Sequence, residues 1–221
     1  MIEWYRAGVP YEDIQRDCID LLRLACEVTG ASALRWRDGA CDPFAEPQKL
    51  TVSTAFAEIA GISGVIDGDR DALIKTSGVD ARASDTWSDI FSRALVEKVE
   101  PFLGADAPTL LTEYPIAEAA LARPAPFDPR VAERFELYAC GVELANGFHE
   151  LTDPVEQRAR LIEAMDEKYK RYGQRWPIDE DFLAALAHMP AASGVALGFD
   201  RLVMLATGAR HINDVLWTPQ A

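Results

Sequence analysis

The chain has 221 residues, a formal net charge of −14 and a hydrophobic share of 49%. That length suits one large domain or two small ones with a buried core. The acidic balance opposes broad contact with nucleic-acid backbones but leaves room for a small anion held by a few arginines and a metal ion. Met1–Arg6 lacks the basic start and apolar centre of a signal peptide, and no apolar run reaches the roughly 20 residues that span a bilayer, so a cytosolic protein without membrane contact is expected.

Met1 to Arg6 reads as a strand with Ile2, Trp4 and Arg6 on one face and Glu3 and Tyr5 on the other. It has no upstream partner in the sequence. Residues 11–29 read as an amphipathic helix, with Ile14, Cys18, Leu21, Leu22 and Ala25 at helical spacing and Gly30 as the stop. Residues 31–47 are mixed and loop-rich. From about Val52 to Val99 the pattern is helical and broken at Gly61, Gly64 and Gly68, which suggests a helical insertion at about 52–105. Pro108 to Pro115 is a strand bounded by prolines, and 117–126 a connector of small residues. Val131 to Leu151 forms a hairpin turning at Cys140-Gly141. Asp153 caps the next helix, with Pro154 at its first position and Glu156 closing a capping box. A short helix follows Pro177. Gly194–Gly198 is a strand, and Asp200–Thr207 a helix ended by Gly208.

Cys18, Cys26, Cys41 and Cys140 make no CxxC pair, and Cys18 falls on a buried helix face, so reduced thiols are expected. His149, His188 and His211 lack zinc-ligand spacing.

Candidate chemistry gathers on the hairpin. A two-residue turn pairs Ala139 with Val142, Tyr138 with Glu143, and Glu136 with Ala145, so Glu136, Tyr138, Glu143 and Ala145 are expected on one face. Glu136 and Glu143 become diagonal neighbours, about 7–8 Å apart by general strand geometry. Two such carboxylates can share a divalent cation. Glu150 lies seven positions beyond Glu143, on the opposite face of a regular strand. One bulge, expected at Gly147, brings Glu150 and Phe148 to the side of Glu143. An acid and an aromatic ring there suit an ammonium group. Gly194 and Gly198 are expected to let a flat ligand approach the backbone, and Arg201, in a first helical turn, to lie over a base or reach a phosphate.

Glu133-Arg-Phe-Glu-Leu-Tyr138, Gly141-Val-Glu-Leu-Ala-Asn-Gly-Phe-His-Glu-Leu-Thr-Asp153 and Ser193-Gly-Val-Ala-Leu-Gly-Phe-Asp-Arg-Leu-Val-Met204 carry a family resemblance. The chain is similar to the C-terminal part of a class II aminoacyl-tRNA synthetase catalytic domain of the lysyl type, the last segment matching that class's third motif. Within the class it resembles the elongation factor P–lysine ligase family, which lacks an anticodon-binding domain. The resemblance covers nearly the whole chain, more weakly over 31–100. It implies an α+β fold: an antiparallel sheet flanked by helices, truncated at one edge.

By position, the resemblance implies that Glu136 and Glu143 hold Mg2+ and ATP. Leu144 would contact adenine through its backbone, and Gly198 and Arg201 would line the nucleotide, Arg201 with a catalytic role. Glu150 would bind an amino group of lysine or β-lysine in a pocket lined by Asn146 and Phe148. Ala196 would sit on its floor, where lysyl-tRNA synthetases usually carry glycine. Glu3 and Tyr5 match the end of the second motif and would also face the substrate.

Measured against that family, Met1 falls at the last strand of motif 2. Motif 1 and the motif 2 arginine that grips the α-phosphate are absent from this sequence, so a fragment of a longer enzyme, a split product that needs another chain, or a degenerate homologue is expected. Losing that arginine would cost on the order of 10²–10³ in rate. The implied activity is ATP-dependent activation of a lysine-like amino acid and transfer to a lysine of elongation factor P. The alternatives are a non-catalytic module that binds nucleotide or amino acid, and a truncated lysyl-tRNA synthetase. The open edge of the first strand is expected to be covered by a second copy, a local rearrangement or a missing N-terminal part.

Overall fold

A computed structural model describes residues 1–218. In chain order its elements are β1 (Ile2–Ala7), α1 (Tyr11–Thr29), β2 (Leu34–Trp36), β3 (Gly39–Cys41), β4 (Gln48–Thr51), α2 (Val52–Ala60), α3 (Arg70–Ser77), α4 (Trp87–Ala94), β5 (Thr109–Pro115), β6 (Pro124–Ala125), β7 (Asp128–Ala139), β8 (Val142–His149), α5 (Pro154–Tyr172), α6 (Glu180–Leu186), β9 (Ala192–Leu197) and α7 (Phe199–Thr207). One sheet runs β1-β9-β8-β7-β5-β4, with β6 beside β7. Its pairings are antiparallel except β4 with β5. The class is α+β, a mostly antiparallel sheet flanked by helices.

The sheet has two differently covered faces. On one, α1 and α7 bury Ile14, Cys18, Leu22, Leu202 and Leu205 against Phe135, Leu137, Ala145, Val195 and Leu197. Ile14, Leu22, Phe135 and Leu197 are fully buried. Truncating one such aliphatic chain to alanine costs roughly 2–5 kcal/mol. Gly30 ends α1 in the left-handed region, φ 72°, and returns its N–H to the Cys26 carbonyl.

On the other face, α2 and α4 cover only the β5–β7 half, packing Phe56, Ile90 and Phe91 with Leu111, Tyr114 and Tyr138. Glycines at positive φ (Gly61, Gly64, Gly68) punctuate this helical stretch. Thr86 and Asp89 form a reciprocal capping box at the start of α4. Arg171 of α5 ties into it, 2.6 Å from Asp89. The β8–β9–β1 half of that face carries the candidate site.

Several sequence expectations change. Residues 31–47 contain the small β2–β3 hairpin. The connector 117–126 holds a 3-10 turn at Ile116–Glu118 and the two-residue β6. Asp153 caps α5 by accepting from the Val155 and Glu156 amides. The expected capping box does not close there, because the Glu156 carboxylate is bonded to Arg160, 2.5 Å away.

The strand at the N-terminus pairs with the sequence-distant β9. No local rearrangement covers its outer edge: β1 ends the sheet among the described residues, and Tyr5 is 61% exposed. Among those residues no helix is long and apolar enough to cross a membrane, and Cys18, Cys26, Cys41 and Cys140 are free thiols.

Candidate functional site

The hairpin turn needs two residues in the left-handed region. Cys140 takes φ 54° and Gly141 φ 70°, as a type I′ turn requires. Ala139 then faces Val142, and Tyr138 faces Glu143, as the sequence predicts. The next pair breaks the count. Leu137 faces Ala145 and Glu136 faces Asn146, so the extra residue is Leu144. The bulge expected at Gly147 is therefore at Leu144, and Ala145 turns to the core with it. The physical reason is that Leu144 and Ala145 are consecutive and both buried in one apolar core, which a regular strand cannot do. The freed Leu144 carbonyl accepts from the Gly198 amide at 2.8 Å. Gly147 has a different duty: a Cβ there would meet the Phe135 ring at 2.6 Å and the Gly194 carbonyl at 2.8 Å.

The bulge still brings Glu143, Asn146, Phe148 and Glu150 to one face. Two rows cross the sheet. Tyr5, Gly194, Phe148 and Arg134 stand opposite one another in one, and Glu3, Ala196, Asn146 and Glu136 in the other. Glycine at 194 is a packing requirement. A Cβ would meet the Tyr5 ring at 2.5 Å and Glu150 Oε1 at 2.7 Å. The bare backbone expected there for a flat ligand is thus occupied by two side chains. Above Gly198, at 3.4–3.6 Å from a built Cβ, lies the aliphatic part of Arg201.

Two acidic zones result. At one end the Glu150 carboxyl is pushed up to about 7 by burial. The Tyr5 phenol beside it is raised by burial and by the charges of Glu150 and Glu3. At the other end Glu136 is deeply engaged. Tyr114 and Tyr138 both donate to its Oε2 at 2.5 Å, and Arg134 approaches Oε1 at 2.5 Å. Glu143 is freer, its pKa raised by burial and by Glu136 against the opposing pull of Arg201. Arg201 donates to the Glu143 carbonyl at 2.7 Å and lies 3.5 Å from its carboxylate.

Glu100, which sequence reasoning missed, joins this zone. Tyr138 Oη lies 3.2 Å from Glu100 Oε1. A phenol has one proton, which Tyr138 directs between Glu136 and Glu100, the Glu136 contact being the shorter. Burial raises the Glu100 pKa, with the hydrogen bond from Tyr138 opposing and the charges of Glu136 and Glu143 reinforcing the rise. Nothing in the local sequence signals Glu100. Arg134, also missed, was within reach of parity counting, two residues before Glu136.

The donor set fits a divalent cation shared with phosphate. It is all oxygen, with Arg134 engaged at Glu136 and Arg201 beside Glu143. Mg2+ typically takes one or two carboxylates and fills its shell with water and phosphate. Among the described residues no group of three or more His, Cys, Asp or Glu side chains is placed to hold a metal ion, so Glu136 and Glu143 alone would be the protein ligands, and Glu143 is the more exposed of the two.

Comparison with known proteins accords with this geometry. The family described as tRNA synthetases class II (D, K and N) matches residues 15–221. Elongation factor P–(R)-β-lysine ligase of Klebsiella pneumoniae is 38% identical over 223 residues, covering 98% of this chain and 63% of the relative. The enzyme of the same name from Proteus mirabilis is 39% identical over 228 residues, covering 99% and 64%. That from Vibrio parahaemolyticus is 35% identical over 225 residues, covering 99% and 64%. The chain thus spans a little under two thirds of the length of these curated relatives.

Proposed function

We propose, since the chain belongs to the class II tRNA synthetase family (D, K and N), that it carries the nucleotide and amino-acid pockets of an ATP-dependent ligase. The amino acid is lysine-like, with β-lysine the first candidate, and the acceptor is a lysine of elongation factor P, as the relatives' names suggest. The observation that carries this reading is Glu150. Its carboxyl is held up to about 7 by burial, beside the Tyr5 ring and over Gly194. An ammonium group supplies the counter-charge it lacks.

Each residue then has a task. Glu150 and Tyr5 orient the distal amine, Asn146 and Phe148 form the wall, and Ala196 and Glu3 lie in the neighbouring row. Glu143 and Glu136 would hold Mg2+, which when bound neutralises phosphate charge. The Leu144 backbone would meet the adenine, beside Gly198. Arg201 would turn from the Glu143 carbonyl to the nucleotide and stabilise charge on its phosphates. The amino-acid carboxylate attacks the α-phosphorus, pyrophosphate leaves, and the acceptor amine then takes the acyl group from AMP. Catalysis is by positioning and electrostatics. The free thiols accord with a cytosolic setting, and the net charge of −14 counts against transfer RNA as acceptor.

The test is calorimetric titration of the chain with β-lysine and lysine, together with ATP-pyrophosphate exchange. Binding that weakens in Glu150→Gln, with exchange, supports the ligase. Binding without exchange leaves a binding module, and charging of transfer RNA a shortened synthetase. Absence of amino-acid binding refutes the pocket.

A further inference from the structure

A second hollow opens beyond Phe148, on the side away from Gly194. It is a cavity of about 240 Å3 walled by Arg134, Asn146, Phe148 and the turn from Glu118 to Ala122. Glu118 lines this cavity, and its Oε1 is buried with no hydrogen-bond donor in reach. Ser88 of α4 hydrogen-bonds the carboxylate, and burial raises its pKa. Arg134 is the nearby cation, but its nitrogens are directed elsewhere. Nε goes to Asn146 Oδ1 at 3.2 Å, one terminal nitrogen to Glu136 at 2.5 Å, and the other to the backbone carbonyl of Glu118.

A carboxylate oxygen without a donor is costly when buried, and native chains rarely keep one. The surroundings say what kind of donor fits. Ala119 and Ala122 present methyl groups and Phe148 a ring, so the passage suits methylenes. One carboxylate in such walls is a poor seat for a bare metal ion, which wants several oxygens. A primary ammonium on an alkyl chain satisfies both: hydrogen bonds for Oε1, and an apolar stem against alanine and phenylalanine.

We propose that Glu118 and the cavity before it form a second alkylammonium subsite, separate from Glu150. The ligand chemistry stands on the cavity, and only the owner of the ammonium rests on the ligase reading. It is either the second amine of the free diamino acid or the side chain of the acceptor lysine.

The test uses the whole chain, titrated calorimetrically at pH 8 with Nα-acetyl-lysine amide (one ammonium, mimicking the acceptor), β-lysine (two) and the uncharged Nα-acetyl-norleucine amide. Glu118→Gln is expected to weaken at least one ammonium probe about ten- to hundredfold, the range for a charge-assisted hydrogen bond, and to leave the norleucine probe unchanged. Loss confined to the acetyl-lysine amide assigns the subsite to the acceptor, and loss confined to β-lysine assigns it to the free amino acid. Ala120→Leu, at an exposed position on the cavity rim, should reproduce the loss with the melting temperature of the parent. Both ammonium probes within twofold of the parent in Glu118→Gln overturn the proposal, as does equal weakening of all three. Failure of the Glu150 pocket reads separately, as β-lysine affinity unchanged in Glu150→Gln.

Discussion

Replacing Glu150 by glutamine separates a binding carboxylate from a structural one, because the two roles move stability and affinity in opposite directions. Burial lifts the carboxyl from 4.5 to about 7. The folded chain therefore binds this proton more tightly than the unfolded chain. The stabilising contribution is complete below the unfolded value of about 4.5 and is lost as pH rises through about 7. At pH 8 the native protein holds a desolvated charge that the neutral amide of the variant does not impose. A shift of that size corresponds to about 3 kcal/mol before discounting. The group is only partly buried, so screening reduces the expected gain to about 1–2 kcal/mol. For a chain of this length that raises the melting temperature by roughly 2–8 °C. Ligand binding goes the other way. Loss of a charge-assisted hydrogen bond, about 1.5–3 kcal/mol, weakens β-lysine by ten- to hundredfold or more. In the parent, affinity should also fall about tenfold from pH 8 to pH 6, as the ionised fraction drops from about nine tenths to about one tenth. Differential scanning fluorimetry and calorimetric titration read both quantities. A variant that melts lower at pH 8 and binds β-lysine as tightly as the parent refutes the reasoning.

Three further outcomes are expected. Arg201→Ala should weaken Mg·ATP about tenfold in a titration while leaving β-lysine affinity unchanged, since its guanidinium lies at Glu143 and not at Glu150; an unchanged ATP affinity would remove Arg201 from the nucleotide. Gly147→Ala should lower stability by roughly 1–3 kcal/mol, seen as a lower urea midpoint, because its Cβ would press on Phe135 at 2.6 Å; a midpoint equal to the parent's contradicts that packing. His149 is buried against Ser193 at 3.0 Å, its pKa lowered from 6.5 by burial and by Arg123. The unfolded chain takes this proton more readily, so the stabilising contribution is present above about 6.5 and is lost as pH falls; His149→Gln should flatten the urea midpoint between pH 7 and pH 5, and an unaltered slope rules the imidazole out.

The sequence shows what repeats locally and hides what depends on contacts across the chain. Helix α1 is legible because its apolar spacing and its glycine stop are both local. The same is true of the turn at Cys140-Gly141, where two left-handed residues are needed in succession. Parity along the hairpin then puts Glu136, Tyr138 and Glu143 together. It fails at Leu144, because a glycine is the habitual mark of an irregular strand while the deciding feature is burial of two neighbouring apolar residues. That burial depends on α1 and α7, which local counting does not see.

The Glu136 zone shows the same limit more strongly. Tyr114 reaches Glu136 because β5 is irregular at Glu113, φ 58°, so residues three apart share a face. Glu100 reaches it from the helical stretch that precedes β5. The uncovered half of the sheet holds residues contributed by β1, β8 and β9, and its acids retain unmet demand for positive charge. The covered half meets that demand internally, with two phenols and Arg134. The sheet therefore grades from a satisfied anchor at Glu136, through the freer carboxylate of Glu143, to the one at Glu150 that lacks a counter-charge. A bound cation gains most where the protein has supplied least, which is why the decisive substitutions lie at Glu150 and Glu118 and not at the more elaborately bonded Glu136.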